Sequence, residues 1–338
     1  MENSAQSAPR AADAGPNRSF SRRRFGLLAS AGAAGLVLAD HMPRAFATPP
    51  DDHAGSDPND GVEEHMVPTP EMPDVKVRLW RATNGSKKSV ILLDGLRATW
   101  DVSGWEHMTN VYEAAKKGIT VVMPVGGNAS FYTDWDAPSN LNNQPYRYMW
   151  ETFIGTTLPN FLGAQGLSST GNALMGLSMG GGAALILAAN HRDRFAFAGA
   201  LSGFLNITAP GMREAIRAAM LSEQGFNSDN MWGPPWSPRW PQNDPTMRIN
   251  DLKGIPLYIS AGRGGATEKD NDLSGVDKVS ATGLETIAYS QTKSFQEKAQ
   301  QVGLDARFVF DAAGTHNWPY WQDHFWDSLD YMKQSIGA

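Results

Sequence analysis

The chain has 338 residues, 41% of them apolar and 19% charged. This suits one large globular domain with appendages and argues against disorder over most of its length. Its 35 acidic residues outnumber its 29 basic ones, so it lacks the basic balance that phosphate backbones require, and nucleic acid is not an expected partner. It contains no cysteine, which excludes disulfides, a thiol nucleophile and a thiolate-bound zinc.

Residues 1–47 read as a secretory signal. Ser21-Arg22-Arg23-Arg24-Phe25 precedes the apolar run Gly26–Leu38, and the small-residue site Ala45-Phe46-Ala47 follows. The arginines before Phe25 suggest the twin-arginine route, so the expectation is an exported protein, secreted or associated with the cell envelope. The run is shorter than the roughly 18–20 apolar residues that span a bilayer. Residues 48–72 contain prolines and acids with no Lys or Arg, and read as a solvated linker. Residues 73–338 are the expected catalytic domain.

Within that domain strand-like and helix-like patterns alternate. Strands are expected at 75–81, 89–93, 119–124, 172–177, 195–201, 257–260 and 306–310. Helices are expected at 105–117, 146–162, 180–190, 212–221, 282–302 and 318–335. The alternation predicts an α/β fold of the α/β-hydrolase type, a mostly parallel central sheet with helices on both faces. Ligands bind beyond the carboxyl ends of the strands in such sheets.

Gly176-Leu177-Ser178-Met179-Gly180 matches G-x-S-x-G between a strand and a helix, the context in which this motif carries a nucleophile. A sharp turn lifts the hydroxyl of Ser178 above the sheet, and small neighbours are needed where the chain passes close to itself. The free N–H groups of the next helix, from Met179 on, face a developing oxyanion. In the order Ser, acid, His, the base follows the last strand. Of the two histidines there, His316 lies in a loop directly after it and His324 within the closing helix, where a packing role is expected. The acid stays open from spacing alone among Glu268, Asp270, Asp272, Asp277 and Glu285. The loop acids are the default from topology, although such charge runs are commonly solvated.

Seven segments in order carry a resemblance. They are Leu92-Leu93-Asp94-Gly95-Leu96-Arg97-Ala98, Val122-Met123-Pro124-Val125-Gly126-Gly127, Ser130-Phe131-Tyr132-Thr133-Asp134-Trp135, Gly176-Leu177-Ser178-Met179, Met231-Trp232-Gly233-Pro234, Asn243-Asp244-Pro245-Thr246 and Thr315-His316-Asn317-Trp318. Together they resemble the antigen 85 mycolyltransferases, esterase D-like secreted acyltransferases, over roughly residues 70–335. The resemblance implies transfer of a mycolyl chain between trehalose esters, giving trehalose dimycolate or mycolylated arabinogalactan, without metal or organic cofactor. The implied partners are trehalose mycolates and envelope glycolipids. It implies Ser178 as nucleophile, His316 as base and Glu285, in Gly283-Leu284-Glu285-Thr286, as the acid. It also implies the amides of Leu96 and Met179 as the oxyanion hole, and Asp94, Arg97 and Trp318 as sugar-site residues. Arg97 also has a plain alternative as a salt-bridge partner. Departures from the family pattern fall at Gly180, Asn317 and Glu106-His107-Met108. They leave a secreted carboxylesterase, or an acyltransferase to glycerolipid or protein acceptors, as alternatives.

Overall fold

A computed structural model describes residues 57–338; the expected signal and the start of the expected linker lie outside them. Eight strands form one sheet. They are β1 (Val62–Val67), β2 (Val75–Trp80), β3 (Ser89–Leu93), β4 (Thr120–Pro124), β5 (Asn172–Leu177), β6 (Phe195–Leu201), β7 (Leu257–Gly262) and β8 (Ala306–Asp311). Their order is β1-β2-β4-β3-β5-β6-β7-β8. The pairs β1/β2 and β2/β4 are antiparallel, and all the others are parallel.

Among the described residues nine α-helical segments accompany the sheet: α1 (Gly104–Met108), α2 (Trp150–Thr152), α3 (Leu158–Ala164), α4 (Met179–Asn190), α5 (Met212–Ser222), α6 (Ser228–Trp232), α7 (Arg239–Gln242), α8 (Gly275–Val302) and α9 (Trp318–Ile336). The central strands are buried on both faces, and successive side chains go to opposite sides. Ile91, Leu93, Leu174, Ala198, Ala200, Leu257 and Ile259 join one core with α4 and Phe295 of α8. Val90, Leu92, Ala173, Met175, Phe197, Leu201 and Tyr258 join a second with α9. On α9 the stripe Phe325, Leu329, Met332, Ile336 steps by four, three and four residues, the spacing that keeps one helical face on the sheet. Each such side chain contributes about 1.5–3 kcal/mol by leaving water. Among the described residues no helix is long and apolar enough to cross a membrane.

Three expectations need correction. The end of the expected linker is β1, which pairs along its length with β2; its backbone hydrogen bonds go to the sheet although its side chains are charged and half-exposed. The helix expected over 105–117 is broken into α1 and a 3-10 turn, Val111–Lys117. Between them the Thr109 hydroxyl donates to the Trp105 carbonyl, and the Asn110 amide donates to Gln322 of α9 at 2.9 Å, so one local side-chain bond and one tertiary partner replace helical ones. The helix expected over 146–162 begins only at Trp150, because Met149 is bridged to Asp134, and it passes through a π turn, Phe153–Thr157, before α3.

The crossing of β5 into α4 is the tightest feature near the site. A Cβ on Gly176 would lie 2.3 Å from the Gly180 carbonyl oxygen, and one on Gly180 would lie 2.4 Å from that of Asp94. Both obstacles are backbone and cannot swing aside. We therefore expect Gly180→Ala to cost about 1–3 kcal/mol, seen by calorimetry as a midpoint several degrees lower. Gly275→Ala, at an exposed helix start with nothing within 4 Å of the new Cβ, should leave the midpoint level or slightly raised. Equal melting of the two variants would contradict this account of the crossing.

Candidate active site

Ser178 sits in the turn from β5 to α4 with φ 52° and ψ −120°, backbone angles that an L-residue holds only when its surroundings impose them. The imposition comes from the close-packed Gly176 and Gly180 and from the Ser178 amide, which donates to Leu201 at the end of β6 at 2.8 Å. The hydroxyl itself makes no hydrogen bond in this arrangement, whereas nucleophile–base bonds in apo sites are often long. Gly95 passes close by, since a Cβ there would be 3.6 Å from that of Ser178.

His316 lies in the loop between β8 and α9. Its Nδ1 is 2.8 Å from Glu285 Oε2, and its backbone amide donates to Ala281 at 3.1 Å; both anchors are on α8. A bond at Nδ1 leaves Nε2 as the ring atom free to face a hydroxyl. The other carboxylate oxygen of the buried Glu285 accepts from the Ser202 hydroxyl at 2.8 Å and the Gly262 amide at 2.7 Å. Ser202 in turn accepts from Trp321 Nε1 at 2.9 Å. Trp321 stands edge-on to the His316 ring, 5.0 Å between centroids. The acid is thus held by the ends of β6 and β7, and the imidazole is pinned between acid and indole.

The amides on the other side of Ser178 also have fixed frames. Met179 begins α4, so its N–H belongs to the first turn, which has no partner within the helix. Leu96 follows β3, and its carbonyl accepts from Ala129 at 2.8 Å, which orients that loop. Asp94 is buried and neither carboxylate oxygen has a hydrogen-bond partner. Burial pushes its pKa up to about 7. The Ser103 hydroxyl and the Gly104 and Trp105 amides oppose that shift without completing a hydrogen bond. Gly104 lies between Asp94 and Trp318, because a Cβ there would be 3.1 Å from Asp94 Oδ1 and 2.4 Å from the Trp318 ring. Trp318 is packed edge-on against Trp105 and Trp321.

The structure therefore brings Ser178, Glu285, His316, Asp94, Gly95 and Trp318 around the carboxyl ends of β3, β5, β6 and β7. Arg97 is engaged differently, its Nε donating to Glu223 Oε2 at 2.9 Å, with Asn128 on the same carboxylate. The salt-bridge alternative for Arg97 is thus present, with Glu223 as a partner that sequence reading did not find. His324 is a packing residue, buried between Tyr258 and Asp311, and His191 caps the end of α4. Among the loop acids, Asp270 is buried and turned to the His316 loop, while Glu268 and Asp272 are exposed. Sequence reasoning also missed Ser202 and Trp321; the one signal for Ser202 is its place directly after an apolar strand. No group of His, Asp and Glu among the described residues could hold a metal ion.

This sheet, with a strained serine at one strand end and a histidine–carboxylate pair beside it, defines a protein of the α/β-hydrolase class. A putative-esterase family model matches residues 71–332. The diacylglycerol acyltransferase/mycolyltransferase Ag85C of Mycobacterium leprae (strain TN) is 40% identical over 289 residues, covering 84% of this chain and 83% of that protein. The corresponding Ag85B of Mycolicibacterium smegmatis is 42% identical over 292 residues, covering 84% and 88%. The crystal structure of MPT51 (FbpC1) of Mycobacterium tuberculosis superposes with a TM-score of 0.69 at 30% identity, covering 81% of this chain and 98% of that one. The chain belongs to the putative-esterase family and, within it, to the Ag85 acyltransferase/mycolyltransferase group.

Two expectations come from this geometry. In the unfolded chain the Asp94 carboxyl ionises near 3.8, and in the fold it keeps its proton to about 7. Between those values the folded state binds more protons, so this group's contribution to stability falls as pH rises through the window. Asp94→Asn should remove that slope, roughly 2–4 kcal/mol between pH 4 and 8. Melts at several pH values check it, and parallel curves for the two proteins would count against it. Ser202→Ala takes a donor from the buried Glu285 and an acceptor from Trp321, and should cost about 1–3 kcal/mol in denaturant melts.

Proposed function

We propose that the chain is a serine acyltransferase that moves a long acyl chain of the mycolyl kind between trehalose esters through an acyl-enzyme on Ser178. The observation that carries the proposal is the 2.8 Å bond between Glu285 and His316, set at the strand ends beside a serine whose turn fits no ordinary structural need. The sequence identity to Ag85 proteins directs the choice of substrate.

In this reading His316 Nε2 takes the Ser178 proton as Oγ attacks the ester carbonyl, and Glu285 stabilises the imidazolium. The amides of Leu96 and Met179 receive the oxyanion. Collapse expels the sugar, which takes the proton from His316. A hydroxyl of a second trehalose ester then yields its proton to His316 and attacks the acyl-enzyme. Asp94 offers a carboxyl without a competing partner to a sugar hydroxyl, and Trp318 offers a flat apolar surface. A narrow crevice along α4 is lined by Phe131, Ile186, Leu187, Phe204, Ile207 and Trp232, with Thr133, Glu151 and Asn243 among them, a mainly apolar surface to which this reading assigns the start of the acyl chain. The route of export belongs to the same reading and rests on residues 1–47 alone.

The test is acyl transfer by the protein from Thr48 onward with trehalose monomycolate, measuring dimycolate and free mycolate beside Ser178→Ala and Glu285→Gln. Dimycolate from the wild type, with a loss of at least about 10³-fold in Ser178→Ala and a smaller loss in Glu285→Gln, is the expected result. Free acid alone would replace the transferase reading with an esterase. Full activity in Ser178→Ala would end the acyl-enzyme proposal.

A further inference from the structure

The loop between β7 and α8 holds the acids that topology alone would offer as partner to His316. One of them, Asp270, is completely buried, and it faces donors from both sides of that histidine. Its Oδ1 accepts from the Thr315 hydroxyl and, at 3.3 Å, from Asn317 Nδ2. Its Oδ2 accepts from the Thr267 amide at 2.8 Å and the Tyr320 hydroxyl at 2.7 Å. Thr267 and Tyr320 are also joined directly, oxygen to oxygen, at 2.6 Å. A buried carboxylate is costly unless its lone pairs are satisfied, and four donors from three segments satisfy this one.

We propose that Asp270 is a positioning residue for the base: by gripping Thr315 and Asn317, the two neighbours of His316, it sets where the imidazole stands over Ser178. This rests on the Ser178–His316 chemistry proposed above. Glu285 and Ala281 hold the imidazole and the amide of His316, but both lie on α8; upstream the backbone is tied at Gly314, whose carbonyl accepts from Gly264 at 2.8 Å, and neither anchor fixes the side chains of Thr315 and Asn317. Gly314 itself has φ 113°, in the left-handed region that glycine enters readily, so the chain turns there into the His316 loop. Asp270 adds the side-chain anchor by tying residues 315, 317 and 320 to the capping turn at Thr267, where a capping box holds the turn. Asparagine at 270 keeps one acceptor and puts an NH₂ group toward the remaining donors, so half of the grip becomes a clash of donors.

A shift of about 1 Å in a catalytic group costs on the order of 10²-fold in rate. Asp270→Asn should therefore lower both the rate of Ser178 labelling by a fluorophosphonate and kcat for acyl transfer by about 10–100-fold. KM for trehalose monomycolate should stay within about twofold, because Asp270 touches no proposed substrate contact. Thr315→Val should lower the same two rates, and adding it to Asp270→Asn should cost less than the product of the single effects, because both break one link. All rates are taken on protein shown folded by circular dichroism. Unchanged labelling in Asp270→Asn, or in Thr315→Val should the first variant not fold, overturns the proposal, as does full additivity of the pair. A wild type that the probe does not label at Ser178 would instead sink the nucleophile assignment on which it rests.

Discussion

Everything at the site depends on the backbone crossing where β5 turns into α4. Gly176, Gly180 and the carbonyl of Asp94 meet there at distances that leave no room for a side chain. The contact holds Ser178 at positive φ and brings the start of α4 against the end of β3. The Asp94–Gly95–Leu96 turn is consequently a wall of the same small space. Strain at one residue is sustained because two buried cores grip the strand and the helix on either side.

The opposite half of the site is built by different physics. The Glu285–His316 pair depends on hydrogen bonds between side chains of distant segments, and each is paid for by a second layer. Ser202 and the Gly262 amide satisfy Glu285, Trp321 satisfies Ser202, and the Trp321 ring, perpendicular to the imidazole, confines it. A buried network of this kind is stabilising only when every member has a partner. The contrast with Asp94 is informative: it is as deeply buried as Glu285 but has no hydrogen-bond partner at either oxygen. One carboxylate is fully hydrogen-bonded beside His316, and the other keeps unmet hydrogen-bonding capacity at the proposed sugar site.

Arg97 and Glu223 link this site to the α5–α6 region, which lies far from Arg97 in sequence and covers the crevice through Trp232. The rim is thereby joined to the apolar wall by an ion pair rather than by the sheet. The three elements that differ from their sequence patterns, β1 and the helices near residues 109 and 149, differ where a partner elsewhere in the chain takes over a backbone or side-chain bond.

What the sequence determined by itself is local. The alternation of strand and helix periods gave the class of the fold, and the small residues around Ser178 marked its turn, because such a turn is specified within five consecutive residues. The choice of His316 as the proposed base followed from chain order. The choice among the later acids could not follow from spacing, since Glu285 reaches His316 only because α8 packs along β7 in one register, whereas Asp270 reaches the neighbours of His316 through a loop whose path has no periodicity. The partner of Arg97, the seat of Trp318 against Gly104 and the burial that raises the Asp94 pKa were decided by tertiary structure alone. Each of these is a distance or a loss of water between segments far apart in the chain, and residue type and spacing carry no record of it.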